Sequence, residues 1–276
     1  MRLSLGFSPC PNDTFIFDAL VHGRVDAGAL RFDPVLEDVQ TLNDWAREAR
    51  LDVTKVSYGV LPRIAQDYVV LGAGGALGRG VGPLLVARPG APPFDASAMR
   101  VAIPGRDTTA HLLFALAFPG AAHRRFMLFS DIERAVLAGE VDAGVIIHEG
   151  RFTYEAKGLA KLMDLGEHWE ARTGSPVPLG AIVARRRFEP ALRRDLDRAV
   201  RESVLVANRG RGVISPYVRE HAQELDESVM RRHIDLYVNE FSVDLGEAGR
   251  RAVRTLLEVH ARVFPDGAEV GEDVFA

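Results

Sequence analysis

His148 is the residue with the clearest capacity for acid–base chemistry. It follows an apolar, β-branched segment, Val141 to Ile147, which predicts a strand that ends at this histidine. An imidazole changes charge near neutral pH and can act as a general base. The sequence therefore favours His148 as a base at the mouth of a cleft, with a structural, hydrogen-bonding histidine as the alternative. The other seven histidines are predicted to lie in exposed helices or loops.

Lys55 and Ser57 occupy one strand-like segment, TKVSYG, and lie on the same face of the predicted strand. Only three of the 34 basic residues are lysines, so arginine is the usual cation of this chain. A compact ammonium group on this strand is typical of a point charge that binds a ligand oxygen. The alternative is a lysine at a strand end that extends into solvent.

The segment GRDTTA, residues 105–110, follows a predicted strand and opens a predicted helix. The unpaired N–H groups and the positive end of the helix dipole at such a place suit a carboxylate or a phosphate. Thr108 and Thr109 add hydroxyl donors, and Ala110 completes the helix opening. The alternative is that one of the threonines only caps the helix.

Alternating β-rich and amphipathic segments position these residues. Such alternation predicts βαβ units on a largely parallel sheet, and hence an α/β fold. The predicted strands span residues 3–7, 53–58, 100–103 and 141–147, and the predicted helices span residues 14–22, 41–50 (capped by Thr41), 108–118 and 131–138. Ligands in open α/β sheets bind beyond the carboxyl ends of the strands. Because polar residues follow all four strands, we expect these ends to form one site.

The chain is predicted to form two lobes, since 276 residues exceed the comfortable size of one hydrophobic core. The segments GRVDAG (23–28) and GEVDAG (139–144) are near copies of each other. Either the two halves of the molecule have a similar layout, or a helix end followed by a strand start recurs by chance. Glycine- and proline-rich stretches at 72–87 and 173–184 predict the two places where the chain passes from one lobe to the other. The larger lobe is then predicted to comprise residues 1–82 and 185–276, and the smaller lobe residues 83–184.

Charge and composition narrow the class of partner. The net charge of −4 gives no reason to expect nucleic acid or an anionic membrane surface, which favours a small-molecule ligand. Cys10 is the only cysteine, and no metal-binding, P-loop or serine-hydrolase motif occurs, so no metal and no cofactor are expected. The lack of a signal-peptide or membrane-span pattern predicts a cytoplasmic location.

Several motifs together resemble one known family. They are SPCPNDTFIFDALVHG (8–23), VLEDVQTLN (35–43), TKVSYG (54–59), GGALGRGVGPL (74–84), PGRDTTA (104–110) and VIIHEGRFTY (145–154). In combination they resemble the 1,4-dihydroxy-6-naphthoate synthase family of the futalosine route to menaquinone. The resemblance extends over nearly the whole chain and is weakest at residues 119–125.

This resemblance implies a two-lobed fold like that of type II periplasmic binding proteins, each lobe a mixed sheet flanked by helices, with the ligand cleft between the lobes. It also implies a carbon–carbon lyase that converts cyclic dehypoxanthinyl futalosine, a small anion, to 1,4-dihydroxy-6-naphthoate. The base of the family matches His148, and its binding residues match Lys55, Ser57, Thr109 and Ala110. Thr108, Asn12 and Thr14 are further candidate substrate contacts, although Asn12 and Thr14 have a turn-shaping role as an alternative.

Three other functions remain open at this point. The first is chorismate dehydratase, an enzyme of the same pathway and fold. The second is a binding protein for a small anion that performs no catalysis, which the missing export signal disfavours. The third is an interaction module whose cleft has no function of its own.

Overall fold

The structure is a computed structural model that describes residues 1–223, 226–265 and 273–276. The strands are β1 Arg2–Phe7, β2 Arg31–Leu36, β3 Val53–Ser57, β4 Tyr68–Val70, β5 Ala76–Gly78, β6 Leu84–Ala87, β7 Val101–Ile103, β8 Arg124–Phe126, β9 Ala143–Ile146, β10 Ala160–Asp164 and β11 Val177–Arg185.

Helices separate and follow the strands, and a short 3-10 helix, Tyr58–Val60, comes directly after β3. The α-helices are α1 Pro11–Val21, α2 Val39–Arg47, α3 Leu61–Ile64, α4 Thr109–Ala117, α5 Phe129–Leu137, α6 Gly150–Thr153, α7 Leu165–Thr173, α8 Pro190–Arg209, α9 Pro216–His221, α10 Glu227–Tyr237, α11 Glu240–Val243 and α12 Gly246–Val263. Among the described residues, none of these helices combines the length and the apolar character that a membrane span requires.

The strands form two sheets. In the first sheet the order is β2-β1-β3-β11-β4, and β5 also pairs with β11. In the second sheet the order is β10-β6-β9-β7-β8. β1 runs parallel to β2 and β3, and β7 runs parallel to β8 and β9, whereas β11, β6 and β10 pair antiparallel with their neighbours. Each sheet is therefore mixed, as the family resemblance implies, rather than largely parallel as the alternation alone predicts.

The chain crosses between the sheets twice. The first sheet takes strands from residues 2–78 and 177–185, and the second takes strands from residues 84–164. β11 belongs to the first sheet, although the predicted smaller lobe runs to residue 184. The lobe boundaries at 82/83 and 184/185 stay a prediction.

Helix α1 is fixed on both sides, which holds its first turn at the end of β1. The rings of Phe7 and Phe17 stack with their centroids 4.7 Å apart. On the other side, the Ser203 hydroxyl of α8 donates a 2.5 Å hydrogen bond to the Ile16 carbonyl and accepts a 3.1 Å bond from the Leu20 N–H. Buried polar groups without partners are costly, so this exchange fixes the position of α1 against α8.

Two helix starts differ from the prediction. α1 begins at Pro11 rather than Thr14, with Cys10 as its N-cap residue. Proline is suited to the first helical position because its φ is preset and the N–H that it lacks would be unpaired there. α2 is capped by the Asp38 carboxylate, which accepts a hydrogen bond from the Thr41 N–H at 3.3 Å, so the predicted Thr41 cap is wrong.

Candidate functional site

A pocket lies where the ends of β1 and β3, together with β11, face α4 and the end of β9. Seven of the eight predicted site residues line it: Asn12, Lys55, Ser57, Thr108, Thr109, Ala110 and His148. Thr14 does not, since its hydroxyl donates to the carbonyl oxygens of Cys10 and Pro11, at 3.1 and 3.4 Å. The structure thus places Thr14 in the first turn of α1, where it has a structural role.

Lys55 forms a buried ion pair with Asp13. The distance from Lys55 Nζ to Asp13 Oδ1 is 2.6 Å, and the two side chains are 7% and 3% exposed. Asp13 also accepts hydrogen bonds from the Ser8 hydroxyl at 2.8 Å and from the Asn12 amide at 2.7 Å. Lys55 therefore does not extend into solvent, and a ligand would meet an ammonium group whose charge is already balanced.

Ser57 is held by Asn43 of α2. The Asn43 side chain accepts a hydrogen bond from the Ser57 N–H at 2.9 Å and donates one to the Ser57 hydroxyl oxygen at 3.2 Å. That oxygen acts as an acceptor, and the Ser57 hydroxyl hydrogen has no acceptor among the described residues. Ser57 therefore offers an O–H donor to the pocket.

The two threonines at the start of α4 use their hydroxyl groups within the protein. Thr108 caps the helix, because its hydroxyl accepts from the His111 N–H at 3.2 Å and donates to the Gly105 carbonyl at 2.9 Å. The Thr109 hydroxyl accepts from the Gly59 N–H and donates to the Leu179 carbonyl, both at 3.2 Å. The expectation that these hydroxyls are ligand donors is therefore not supported.

The backbone at the same helix start remains available. Thr109 and Ala110 are the first two residues of α4, so their N–H groups have no acceptor within the helix. Neither N–H has an acceptor elsewhere in the described part of the chain. With the Ser57 hydroxyl, they provide three donors that suit a carboxylate at the positive end of the α4 dipole.

His148 stands two residues past the end of β9 in a left-handed backbone conformation, with a φ of 55°. Few residues other than glycine adopt this conformation, and it often marks a site where other contacts overcome the strain. Nδ1 of His148 lies 3.6 Å from the sulfur of Cys10. Its ring also meets the ring of Phe129 edge-on at 4.9 Å and lies 6.1 Å from the ring of His233.

A sequence model of a family described as Menaquinone biosynthesis matches residues 3–262. The chain belongs to this family. It is 53% identical over 261 residues to the 1,4-dihydroxy-6-naphtoate synthase of Thermus thermophilus, a match that covers 94% of each chain. It is 51% identical over 261 residues to the protein of the same name from Streptomyces coelicolor, which covers 92% of this chain and 91% of the relative. The predicted family resemblance is confirmed.

Solved structures confirm the fold class expected for this menaquinone-biosynthesis chain. A crystal structure of a protein from Archaeoglobus fulgidus superposes with a TM-score of 0.88 at 34% identity and covers 95% of this chain and 97% of its own. The periplasmic aliphatic sulphonate binding protein SsuA of Escherichia coli superposes with a TM-score of 0.66 at 14% identity, covering 100% of this chain and 92% of its own. The second likeness shows the fold alone.

Burial is the main reason that the pKa of His148 lies below its ordinary value. The negative charges of Glu149 and Asp13 oppose this shift, and the charge of Lys55 adds to it. Burial, followed by the charge of Glu149, raises the pKa of the Cys10 thiol well above its ordinary value. At neutral pH His148 is therefore an uncharged imidazole, which is the form that accepts a proton. The neighbouring thiol of Cys10 is uncharged as well.

The prediction that the other histidines are exposed is wrong for three of them. His111, His233 and His260 are at most 6% exposed. Each lies on the buried face of its helix, where the spacing of apolar neighbours decides burial more than the polarity of one side chain does. In α10 that face also carries Tyr237, which lines the pocket. The i,i+4 spacing of His233 and Tyr237 was the signal in the sequence that could have found them.

Asp13 also lines the pocket, although the turn-rich SPCPND segment leaves open from sequence alone whether it contacts a substrate or only shapes its turn. Among the described residues, no group of three or more histidine, cysteine and acidic side chains is placed to hold a metal ion. The functional groups that the pocket gathers are thus an uncharged imidazole, a paired ammonium and backbone and hydroxyl donors.

Proposed function

We propose that this chain is a carbon–carbon lyase that converts cyclic dehypoxanthinyl futalosine to 1,4-dihydroxy-6-naphthoate in menaquinone biosynthesis, in the cytoplasm and without a cofactor. The observation that carries the proposal is the position of His148, an uncharged and half-buried imidazole, in the same pocket as three free hydrogen-bond donors. The names of the two relatives support the choice of product.

The substrate carboxylate binds at the start of α4. The N–H groups of Thr109 and Ala110 and the hydroxyl of Ser57 donate to its oxygens, and the helix dipole favours its charge. Lys55, held by Asp13, stabilises a second oxygen of the substrate by its remaining N–H groups. Closure of the predicted lobes, 1–82 with 185–276 against 83–184, excludes water from the pocket.

His148 then removes a proton from the substrate. The carbon–carbon bond to the departing fragment breaks, its electron pair leaves with that fragment, and the remaining ring becomes aromatic. The departing carbon takes up one proton, so that no proton is gained or lost over the cycle. General acid–base assistance of this kind contributes about 10²- to 10⁴-fold to the rate.

The test is to incubate the purified protein with cyclic dehypoxanthinyl futalosine, with no added cofactor, and to follow 1,4-dihydroxy-6-naphthoate by chromatography. We expect the product to appear with the protein and not with heat-denatured protein. Consumption of chorismate instead would assign the chain to chorismate dehydratase. Binding of the futalosine compound without turnover would make it a binding protein.

A further inference from the structure

His233 is a fully buried histidine to which the proposed reaction assigns no role. It lies on α10 with 0% of its surface exposed. Neither of its ring nitrogens has a hydrogen-bond partner among the described residues. A buried polar group without a partner raises the free energy of the folded state, so this imidazole requires an explanation other than packing.

Aromatic rings surround His233. The ring of His148 lies 6.1 Å away, centroid to centroid, with an angle of 23° between the planes. The rings of Tyr237 and Phe152 lie at 4.7 and 6.3 Å. A phenylalanine at position 233 would make the same kinds of contact and would bury no unpaired nitrogen. The imidazole is therefore not what packing alone would favour.

Another buried histidine, His111, shows how the hydrogen-bonding groups of a structural histidine are paired in this protein. Nδ1 of His111 lies 2.7 Å from the Arg106 carbonyl oxygen, and Nε2 lies 3.3 Å from the Arg124 guanidinium. Both nitrogens of His111 are paired, whereas both nitrogens of His233 are free. Departures from such local rules concentrate at functional sites.

Of the described residues next to His233, His148 is the one that gains a positive charge in the proposed reaction. While His148 is uncharged, the stacked rings interact weakly. Once His148 has taken the substrate proton it is an imidazolium, which is attracted to the negative end of the dipole of the uncharged imidazole beside it, at the nitrogen that carries no hydrogen. An interaction that is stronger after proton transfer than before it lowers the barrier of that step.

We propose that His233 is a positioning residue that stabilises the imidazolium form of His148 during proton removal. This inference rests on the proposed lyase function. The proton moves from the substrate to His148 and later to the departing fragment, and His233 remains uncharged throughout. His233 therefore acts through His148 and does not exchange a proton itself.

The electrostatic surroundings suit this role. Burial, and then the neighbouring His148 and Lys55, place the pKa of His233 well below its ordinary value, so it stays uncharged when His148 becomes charged. The charged groups that act on His148 are Glu149, Asp13, Lys55 and Asp38. Tyr237 also faces His233, and burial keeps the pKa of its phenol raised, so it remains uncharged.

The test compares His233→Phe with the wild type in three measurements. We expect the thermal unfolding midpoint to stay the same or rise, because two unpaired nitrogens are lost from the interior. We expect kcat to fall about tenfold, because a charge–dipole interaction at a site poor in water is lost, while KM stays within about twofold. We expect the acid limb of the kcat profile to move to lower pH, because the imidazolium of His148 loses a stabilising neighbour.

A matched control and a rescue variant sharpen the comparison. His260→Phe makes the same substitution at another buried histidine, on α12 and outside the pocket lining, and should leave kcat and the pH profile unchanged. His233→Asn and His233→Gln keep an uncharged acceptor, and at least one of them should recover part of kcat relative to His233→Phe. Wild-type kcat and pH profile in His233→Phe would overturn the inference. A raised KM with a lowered unfolding midpoint would also overturn it and assign His233 to packing.

A measurement without substrate separates this inference from the proposed function. The pKa of His148 can be followed by NMR of ¹⁵N-histidine-labelled protein, with His148→Asn to assign the signal. We expect the pKa of His148 to be lower in His233→Phe than in the wild type. An unchanged pKa would overturn the inference even in an active lyase, whereas a lowered pKa in a protein without lyase activity would contradict only the proposed function.

Discussion

The two walls of the pocket hold their polar groups in different ways. On the first-sheet wall, Asp13 and Lys55 form a 2.6 Å ion pair, and Asn43 makes two hydrogen bonds to Ser57. On the second-sheet wall, His148 has a strained backbone, aromatic neighbours and one weak contact to sulfur.

The difference fits the two tasks of the proposed reaction. A group that only binds is best fixed beforehand in a complete hydrogen-bond network, because no ordering is then required when the ligand arrives. A base must exist in two protonation states. Burial among uncharged rings lowers the pKa of His148 and so keeps it in the uncharged form that can take up the substrate proton.

The largest effect that the comparison predicts follows the loss of the base. His148→Asn removes the acid–base group and keeps a residue type that tolerates the left-handed backbone. We expect kcat to fall by about 10²- to 10⁴-fold, with folding intact by circular dichroism. Ala49→Asn is the matched control, since Ala49 has the same φ of 55° and does not line the pocket, and its turnover should equal that of the wild type. Near-full turnover of His148→Asn would contradict the assignment of the base.

The second prediction concerns the first-sheet wall. Asp13→Asn leaves the buried Lys55 ammonium without its counter-charge, and we expect the free energy of unfolding to fall by about 3–5 kcal/mol in urea denaturation. The double variant Asp13→Asn with Lys55→Met removes both charges and should recover most of that loss without recovering tight substrate binding. A stable Asp13→Asn protein would mean that this wall is not fixed by the ion pair.

The third prediction tests the contact between the walls. Gly59, in the 3-10 helix after β3, packs against the start of α4, and a Cβ atom there would lie 2.7 Å from the Thr108 carbonyl carbon and 2.8 Å from the Thr109 nitrogen. We expect Gly59→Ala to cost about 1–3 kcal/mol of stability and to raise KM, because the α4 start must move away. Gly120→Ala, at a position with no atom within 4 Å, should change neither quantity. Equal behaviour of the two variants would show that the walls do not depend on this contact.

The smallest predicted effect is on pH dependence. Because burial holds the pKa of His148 below its ordinary value, the acid limb of kcat/KM, where His148 takes up a proton, should lie at lower pH than it would for a free imidazole. Glu149 is the strongest of the groups that raise this pKa. Glu149→Gln should therefore move the acid limb to lower pH, measured from initial rates in constant-ionic-strength buffers. A shift to higher pH would contradict the electrostatic description of this wall.

The sequence by itself was sufficient to locate the strand ends and the residues that follow them. Apolar, β-branched segments determine β3 and β9 locally, and the rule that ligands bind beyond strand ends then selects Lys55, Ser57 and His148. The opening of α4 at Thr109 and Ala110 follows in the same way from the strand, turn and helix pattern. These predictions depend only on the pattern of apolar and polar residues within short segments, and that pattern can be read without knowing the fold.

Only the tertiary structure decided which groups are paired. Asp13 meets Lys55 across 42 residues of sequence, and His233 reaches His148 from a helix near the other end of the chain. The same long-range packing occupies the hydroxyl of Thr109 with partners from β11 and the 3-10 helix. Charge, burial and hydrogen-bond availability depend on neighbours brought together by folding. The residue types therefore predict which chemistry can occur at this site, and the fold determines which atoms remain free to perform it.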